Sequence, residues 1–439
     1  MAASEYAEVL ASLYRLEAAK GMDFKLERVA LALKNLGNPQ ERFATVHIAG
    51  TNGKGSVAAM LHSILVTGGY RVGLYTSPHL VSFTERIRIG AREINEDEVV
   101  ELAHEIHGAA TVCGIELTFF EFVTVLAFLH FARQGVDVAV VEVGLGGRLD
   151  ATNVLDPAVA VITTIGLDHQ EFLGDTVLSV AREKAGIIKP HRPVVIGKVS
   201  PDVATLLAQT AAEQHASALW LGRDFVVTNT EPLRFDGMGC TLDGVSVGLR
   251  GRYQRDNAAT AIAAALRLRD RFPLSDDLIR KGLANVRWPG RLDILQTRPL
   301  VLLDGAHNAD GMAALVQELP AIVGDRQLHV LFAVMRDKHW QPMVAGIGPL
   351  AASATVTTVL PPRGESPSVL ASAFTRYCPV RVVADPVEGL ATLLRTVDPS
   401  DVVVVCGSLF LIGAVFPYLL SRHGHSNLLS ARPGAALQP

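Results

Sequence analysis

Short β-branched apolar runs alternate along this chain with segments of helical spacing. In the first two thirds the runs are "ATVHIAG", "RVGLYTS", "VDVAVVEVG", "AVAVITTIG" and "RPVVIGKV", each followed by a Gly-containing or charged stretch. Continuous apolar runs of this kind read as strands buried on both faces. Before the third run, "ELTFFEFVTVLAFLHFARQG" places Phe119, Phe122, Val123, Leu126 and Leu129 at helical spacing. The alternation predicts βαβ units and a mostly parallel sheet covered on both faces. Between residues 221 and 252 the pattern is closer to that of antiparallel edge strands. An Ala-rich helix, "RDNAATAIAAALRLRD", follows, with Asp256 or Asn257 near its start.

The pattern breaks at Pro289-Gly290 and resumes as a shorter α/β series, "PLVLLDG", "QLHVLFAVM", "ATVTTVLPP", "PVRVVAD" and "DVVVVCG". A chain of 439 residues exceeds the roughly 250–300 that one core organises, so two domains are expected, 1–288 and 289–422. Residues 423–439 are turn-rich and read as a disordered tail. The N-terminal stretch has helical spacing with Glu and Arg throughout, unlike a secretory signal. Val402 to Leu420 carries no charge and has the length of a bilayer span. Its Val run, Gly-Ser break and helical Leu/Phe/Ile pattern instead predict a buried strand turning into a core helix.

Composition narrows the function. Hydrophobic residues at 49% and charged residues at 19%, with a mean hydropathy of +0.28, describe a compact enzyme-like globule. A net charge of −4 provides no footprint for nucleic acid or an anionic membrane. Cys113, Cys240, Cys378 and Cys406 are far apart, with no CxxC pair, which argues against zinc and a disulfide framework and for a reducing cytoplasm.

Candidate chemistry sits where the apolar runs end. "TVHIAGTNGKGSVAAM" has strand, glycines, Lys54 and Ser56 in the order of a phosphate-binding loop, but only Thr51 and Asn52 separate Gly50 from Gly53, and Gly55 intervenes before Ser56. The physics survives the spelling: a tight glycine turn points N–H groups inward, and a helix expected to begin at Ser56 adds its positive end. Lys54 would neutralise phosphate charge, and Ser56 could face phosphate or magnesium. Glu142 closes the third run, so a carboxylate reaches the carboxyl edge of the sheet, where open α/β folds bind ligands. Ser77 and His79 in "YTSPHL", and Asp168 and His169 in "TTIGLDHQEFLG", end two further strand segments. Together these sets point to a divalent-cation site with oxygen and imidazole ligands. Lys184, in "SVAREKAGIIKP", reads by itself as a solvated lysine on an amphipathic helix.

These residues carry a resemblance. "HIAGTNGKGSV", "TSPHLVSFTERIRI", "TFFEFVTVLAF", "VVEVGLGGRLDATNV", "GLDHQEFLGDT", "AREKAGIIK", "WPGRL", "LDGAHN" and "CGSLFLIG", in this order, resemble the folylpolyglutamate synthase/dihydrofolate synthase family of Mur-type amide ligases, from about Leu26 to Leu420. The resemblance implies an α/β fold: an N-terminal P-loop-type domain with a mostly parallel sheet and helices on both faces, and a smaller C-terminal Rossmann-like α/β glutamate ligase domain. It implies that Gly53, Lys54, Gly55 and Ser56 hold ATP phosphates, and that Asn257, Arg291 and Asp304 contact the nucleotide, which would bridge the domains. Ser77, Glu142 and His169 fall on magnesium ligands, Glu142 shared between two ions. Lys184 falls on a lysine carried as a carbamate, which turns a cation into an anion supporting the second magnesium. Lys54, Glu142, His169 and Lys184 would be the catalytic set. Thr118, Phe119, Phe120, Glu121 and Leu149 match the pterin-substrate site, and His307 and Ser408 are matched to incoming glutamate. His339 in "VMRDKHW" departs from the acidic residue frequent there, and the tail has no family counterpart.

The implied reaction converts a pteroate or folate carboxylate to an acyl phosphate with MgATP, then joins it to the amine of L-glutamate. Either dihydropteroate or tetrahydrofolate, or both, would serve as acceptor. No protein nucleophile is needed, and no Ser-His-Asp or Cys-His arrangement stands out. The protein is expected to be a monomer with small-molecule substrates only. A cell-wall amide ligase acting on a UDP-linked substrate is disfavoured by the "TFFEF" segment and the short N-terminus. A GTPase-like switch would want an NKxD motif, which is absent. A small-molecule kinase stays open on the loop alone.

Overall fold

The computed structural model describes residues 2–20, 25–228 and 230–422. The described residues fall into two compact units: the first takes those within Met1–Ile165, Asp175–Val247 and Arg255–Val286, the second those within Gly166–Gly174, Gly248–Gln254 and Arg287–Pro439.

The first unit is built on an eight-stranded sheet. In chain order its strands are β1 (Ala44–Ala49), β2 (Val72–Tyr75), β3 (Ile87–Ile89), β4 (Arg92–Glu93), β5 (Val138–Glu142), β6 (Val159–Ile162), β7 (Val194–Ile196) and β8 (Ala218–Trp220). The spatial order is β4-β3-β2-β5-β1-β6-β7-β8. The strands from β2 to β8 run parallel, and β3 and β4 add an antiparallel edge. Every residue of β1, β2, β5 and β6 is buried; β2, β5 and β6 accordingly carry no polar alternation, whereas β1 buries Thr45 and His47 at alternate positions. One face packs against a cluster in which Phe122, Leu126 and Phe128 of the helix Phe119–Arg133 meet Tyr75 and Val141. The other packs Ile162 and Ile196 against Val203 and Leu207 of the helix Pro201–Glu213.

Three further strands, β9 (Phe225–Val227), β10 (Leu233–Gly237) and β11 (Cys240–Val245), form a separate antiparallel sheet. The region expected to supply edge strands thus makes its own small layer, because its alternating pattern buries only one face, through Leu233, Phe235 and Leu242.

The second unit carries a six-stranded sheet of β12 (Asp293–Thr297), β13 (Leu300–Leu303), β14 (Leu328–Phe332), β15 (Ser353–Val356), β16 (Val380–Val382) and β17 (Val402–Cys406). Its order is β12-β13-β17-β14-β15-β16, all parallel except β12. The uncharged stretch from Val402 resolves into β17 and the helix Leu409–Arg422. Among the described residues no helix is long and apolar enough to cross a membrane. The described residues are therefore α/β, with a parallel-rich first sheet, a smaller sheet in the second unit and the small antiparallel layer β9–β11. The segment expected to be a disordered tail lies outside the described residues.

Candidate active site

In the first unit, β1 ends at Ala49 and the chain enters the glycine turn. Gly50 has φ +154°, and Gly53 has φ +88°, in the left-handed region glycine adopts without strain. Gly53 caps the helix Lys54–Thr67, so the helix starts one residue pair earlier than the expected Ser56. The loop is fixed from the side by β6: Thr51 N donates to Thr164 O at 2.7 Å, and Thr163 Oγ1 donates to Asn52 O at 2.7 Å. Lys54 Nζ folds back to donate to Gly50 O at 3.1 Å and Thr51 O at 3.3 Å. Ser56 is buried in the first turn. Asn257 presses on the loop so closely that a Cβ on Gly53 would come to 2.6 Å from its Oδ1. Lys184, which reads as solvated from sequence alone, is instead buried, and its Nζ donates to Gly50 O at 2.9 Å.

Glu142 is the last residue of β5 and pairs in register with Ile48 of β1, one strand from the loop. Its carboxylate is buried and accepts from Ser77 N at 3.2 Å. His79 accepts from Arg86 Nε at Nδ1, 2.8 Å away. Burial, then the Arg86 charge, lower its pKa to about 4.

Thr118 and Glu121 form a capping box at the start of the helix Phe119–Arg133. The Glu121 carboxylate accepts from Thr118 N at 2.7 Å and from Arg28 Nη2 at 2.7 Å. Phe119 stacks on Tyr14 at 5.7 Å and lies under the Arg86 guanidinium at 5.3 Å. Phe120 packs against Gly144, where a Cβ would meet its Cζ at 2.3 Å, so the loop carrying the half-buried Leu149 meets this helix through a glycine.

In the second unit the carboxyl ends of β13 and β17 lie side by side. Asp304 accepts from Leu292 N and Ala306 N at 2.9 Å each and from Tyr253 Oη at 3.2 Å. Burial raises its pKa against the opposing charge of Arg291. The Arg291 guanidinium lies over Gly305, where a Cβ would be 2.0 Å from Nη1. Ser408 is buried and its Oγ accepts from Phe410 N at 3.1 Å. His307 Nδ1 is 2.8 Å from Gly305 O, and its Nε2 is 3.5 Å from Asp168 Oδ2. Asp168 also meets Lys338 Nζ at 2.6 Å and Asn308 Nδ2 at 3.3 Å. Burial pushes the Asp168 carboxyl up, but the His307 hydrogen bond and the Lys338 charge outweigh it and hold the group well below the usual range. His169, in the left-handed region at φ +48°, has Nε2 3.2 Å from Lys338 Nζ.

Residues 48–265 match the Mur ligase middle domain, and residues 290–409 match the Mur ligase glutamate ligase domain. The chain is 35% identical over 406 residues to folylpolyglutamate synthase of Lacticaseibacillus casei, covering 90% of this chain and 94% of that one. It is 34% identical over 423 residues to dihydrofolate synthase/folylpolyglutamate synthase of Escherichia coli, covering 96% and 97%. Among solved structures, E. coli FolC in complex with DHPP and ADP superposes with a TM-score of 0.88 at 32% identity, covering 94% of this chain and 98% of that one. The bifunctional folylpolyglutamate synthase/dihydrofolate synthase of Yersinia pestis complexed with AMPPNP and Mn ion superposes with a TM-score of 0.85 at 34% identity, covering 94% and 98%. The chain belongs to the folylpolyglutamate synthase/dihydrofolate synthase family. It is an ATP-dependent ligase.

For a ligase of this family the structure adds residues that the sequence did not single out. Thr163 and Thr164 brace the phosphate loop, and the doubled threonine after a buried run was their signal. Lys338 ties together Asp168 and His169 from 170 positions away, and nothing local marked it beyond the Asp-Lys-His string. Tyr253 and Asn308 hold Asp304 and Asp168 respectively. Among the described residues no three His, Cys, Asp or Glu side chains gather into a metal cluster. Ser77 and Glu142 still suit magnesium, which takes one or two carboxylates and completes its shell with phosphate oxygens and water.

Proposed function

We propose that this ligase activates the carboxylate of dihydropteroate and of reduced folates as an acyl phosphate and joins each to L-glutamate, releasing ADP and phosphate. The observation that carries this reading is the Gly50–Ser56 turn, with Lys54 and the buried Glu142 carboxylate one strand apart at the same sheet edge. Such an arrangement aligns and neutralises a transferring phosphoryl group, which needs electrostatics and positioning more than covalent help. The chain's likeness to relatives complexed with ADP, DHPP, AMPPNP and Mn ion supports a nucleotide, a pterin-type acceptor and a divalent cation here.

Gly53, Lys54, Gly55, Ser56, Asn257, Arg291 and Asp304 are the proposed nucleotide residues. Ser77, Glu142 and His169 would hold magnesium, at two sites. The metal would neutralise charge on the phosphates when bound. Because His169 Nε2 lies against the Lys338 ammonium, ligation through that nitrogen needs this contact to open. Thr118, Phe119, Phe120, Glu121 and Leu149 serve the acceptor; of these, Glu121 acts through the helix start it caps and the Arg28 pair. His307 and Ser408 serve the glutamate. Lys184 works as a carbamate: its neutral amine takes up CO₂ and releases a proton, replacing the donor now facing Gly50 O with an anion. The enzyme acts as a cytoplasmic monomer, with its four cysteines free.

The test supplies MgATP and L-glutamate with dihydropteroate or tetrahydrofolate, measures phosphate release and weighs the products. Both acceptors are expected to gain one glutamate per phosphate released. ADP formed without an amino acid, with the phosphoryl group retained on the acceptor and no free phosphate, would instead identify a kinase. Glu142→Ala should abolish turnover with an unchanged circular dichroism spectrum. Lys184→Ala should be nearly inactive; full activity without added bicarbonate or acetate rules out the carbamate.

A further inference from the structure

The interior of the first unit holds a histidine that none of these steps uses. His47 lies in β1, fully buried, with Val141 of β5 and Ala160 of β6 as its register partners. An imidazole among valine and alanine is tolerated only when hydrogen-bonded. Its Nε2 is 2.8 Å from Thr152 Oγ1, and Thr152 Oγ1 donates in turn to Asp150 Oδ1. A hydroxyl has one proton, and here it goes to the carboxylate. Thr152 therefore offers His47 a lone pair, which makes Nε2 the protonated nitrogen and Nδ1 a bare acceptor. Nδ1 is buried without a partner. Burial and the Lys189 charge lower the pKa of His47 to about 3, so the ring stays neutral near pH 7.

At the other end of this chain of bonds is the loop Gly144–Asn153. Asp150 gathers it by accepting from Leu145 N at 2.8 Å and Thr152 N at 3.0 Å. Asn153 Nδ2 donates to Arg148 O at 2.9 Å and Gly186 O at 3.1 Å. Gly144 abuts Phe120, and Gly147 abuts the backbone at Glu183 and Lys184, where a Cβ would be 2.8 Å from Glu183 O. The same loop thus touches the helix start proposed for the acceptor and the helix that carries Lys184. Through Thr152 it is pinned by a side-chain hydrogen bond to the strand that leads into the phosphate loop.

We propose that His47 is a positioning residue: acting through Thr152 and Asp150, it holds the Gly144–Asn153 loop, and with it Leu149 and the wall against Phe120, in the geometry that receives the pterin-containing acceptor. This rests on the acceptor reading of the preceding subsection. A merely structural histidine would lower stability and affect both substrates alike. A positioning histidine acts on the acceptor, because the phosphate loop has its own braces in Thr163, Thr164 and Asn257.

Steady-state kinetics on the full-length protein tests it, with acceptor and MgATP varied in turn and the thermal midpoint recorded for each variant. Thr152→Val, which keeps the shape and removes the hydroxyl, is expected to raise the acceptor KM about tenfold, with kcat and the MgATP KM within about twofold of wild type. Thr152→Ser is expected to return the acceptor KM to within about twofold of wild type. An unchanged acceptor KM in Thr152→Val, or acceptor and MgATP KM values that rise together, overturns the proposal. So does a tenfold acceptor effect in Thr152→Ser, whose hydroxyl is intact. Should Thr152→Val not fold, His47→Gln, which keeps an N–H donor, is compared with His47→Leu, and equal acceptor KM values overturn it. The two readings fail differently: absence of folate-dependent turnover in wild type removes the acceptor reading, whereas turnover without separation of the KM values removes the role of His47.

Discussion

A carboxylate taken out of water survives as an anion only where cations and donors replace the solvent it loses. Asp168 and Lys338, with side chains 8% and 9% exposed, are such a pair, and His307 and Asn308 complete the shell of the carboxylate. Removing one member leaves the other charge buried, so Lys338→Met should destabilise the second unit by about 3–5 kcal/mol. Asp168→Asn combined with Lys338→Met should recover much of that loss, because no net charge then remains stranded. Urea unfolding followed on the second unit checks this, and additive losses in the double variant would contradict it. This pair also marks where residue-level inference from sequence stops. Asp168 and His169 were legible because they follow a buried run, the place where α/β sheets present chemistry. Their partner 170 positions away was not, since tertiary folding alone brings it there. Lys184 failed in the opposite direction: amphipathic spacing made it look solvated, whereas the fold buries it with its Nζ against Gly50 O.

At the scale of elements, the strands that were legible are those buried on both faces, where a continuous Val/Ile run leaves no other economical fold. Those that escaped are short or half-buried: β3, β4 and β8 hold two or three residues each, and β12 is only partly covered. Thr118 and Glu121 form a capping box at the start of the helix Phe119–Arg133, a start that the apolar spacing of the segment did not locate. The phosphate loop depends on a glycine for two separate reasons, which a pair of variants can separate. Gly53 sits at φ +88° against Asn257 Oδ1, whereas Gly69 sits at φ +87° with no heavy atom within 4 Å of the Cβ it would carry. Alanine at either position incurs about 1–2 kcal/mol of left-handed strain. Gly53→Ala must also push Asn257 away, and is expected to weaken ADP binding about tenfold by titration calorimetry. Gly69→Ala should lower stability similarly and leave ADP affinity unchanged.

For the molecule as a whole, the two units meet acid differently. His47, His62 and His79 all belong to the first unit and have pKa values lowered to about 3, 4 and 4. The cause is burial first, then the cations Lys189, Arg88 and Arg86 in turn. Unfolded, each would titrate near 6.5. A folded-state value depressed below the unfolded one means that stability is complete above pH 6.5 and is lost as pH falls toward the folded value. Each histidine removes about 1.4 kcal/mol per pH unit across that window. The second unit has the opposite balance among its carboxyls. Asp168 is depressed, so its contribution is lost only as pH falls below the ordinary carboxylate range. Burial raises Asp293 and Asp304, whose protonation in acid relieves a buried charge. Between about pH 6 and pH 4.5 the first unit should therefore weaken while the second keeps its protection. Hydrogen exchange read by mass spectrometry at stepped pH tests this: peptides from β1, β2 and β5 should lose protection before those from β13, β14 and β17. His47→Gln, which removes one titrating group, should make the decline of the first unit shallower by about 1.4 kcal/mol per pH unit. Simultaneous loss in both sheets, or an unchanged slope in that variant, would show that acid acts on these units by another route.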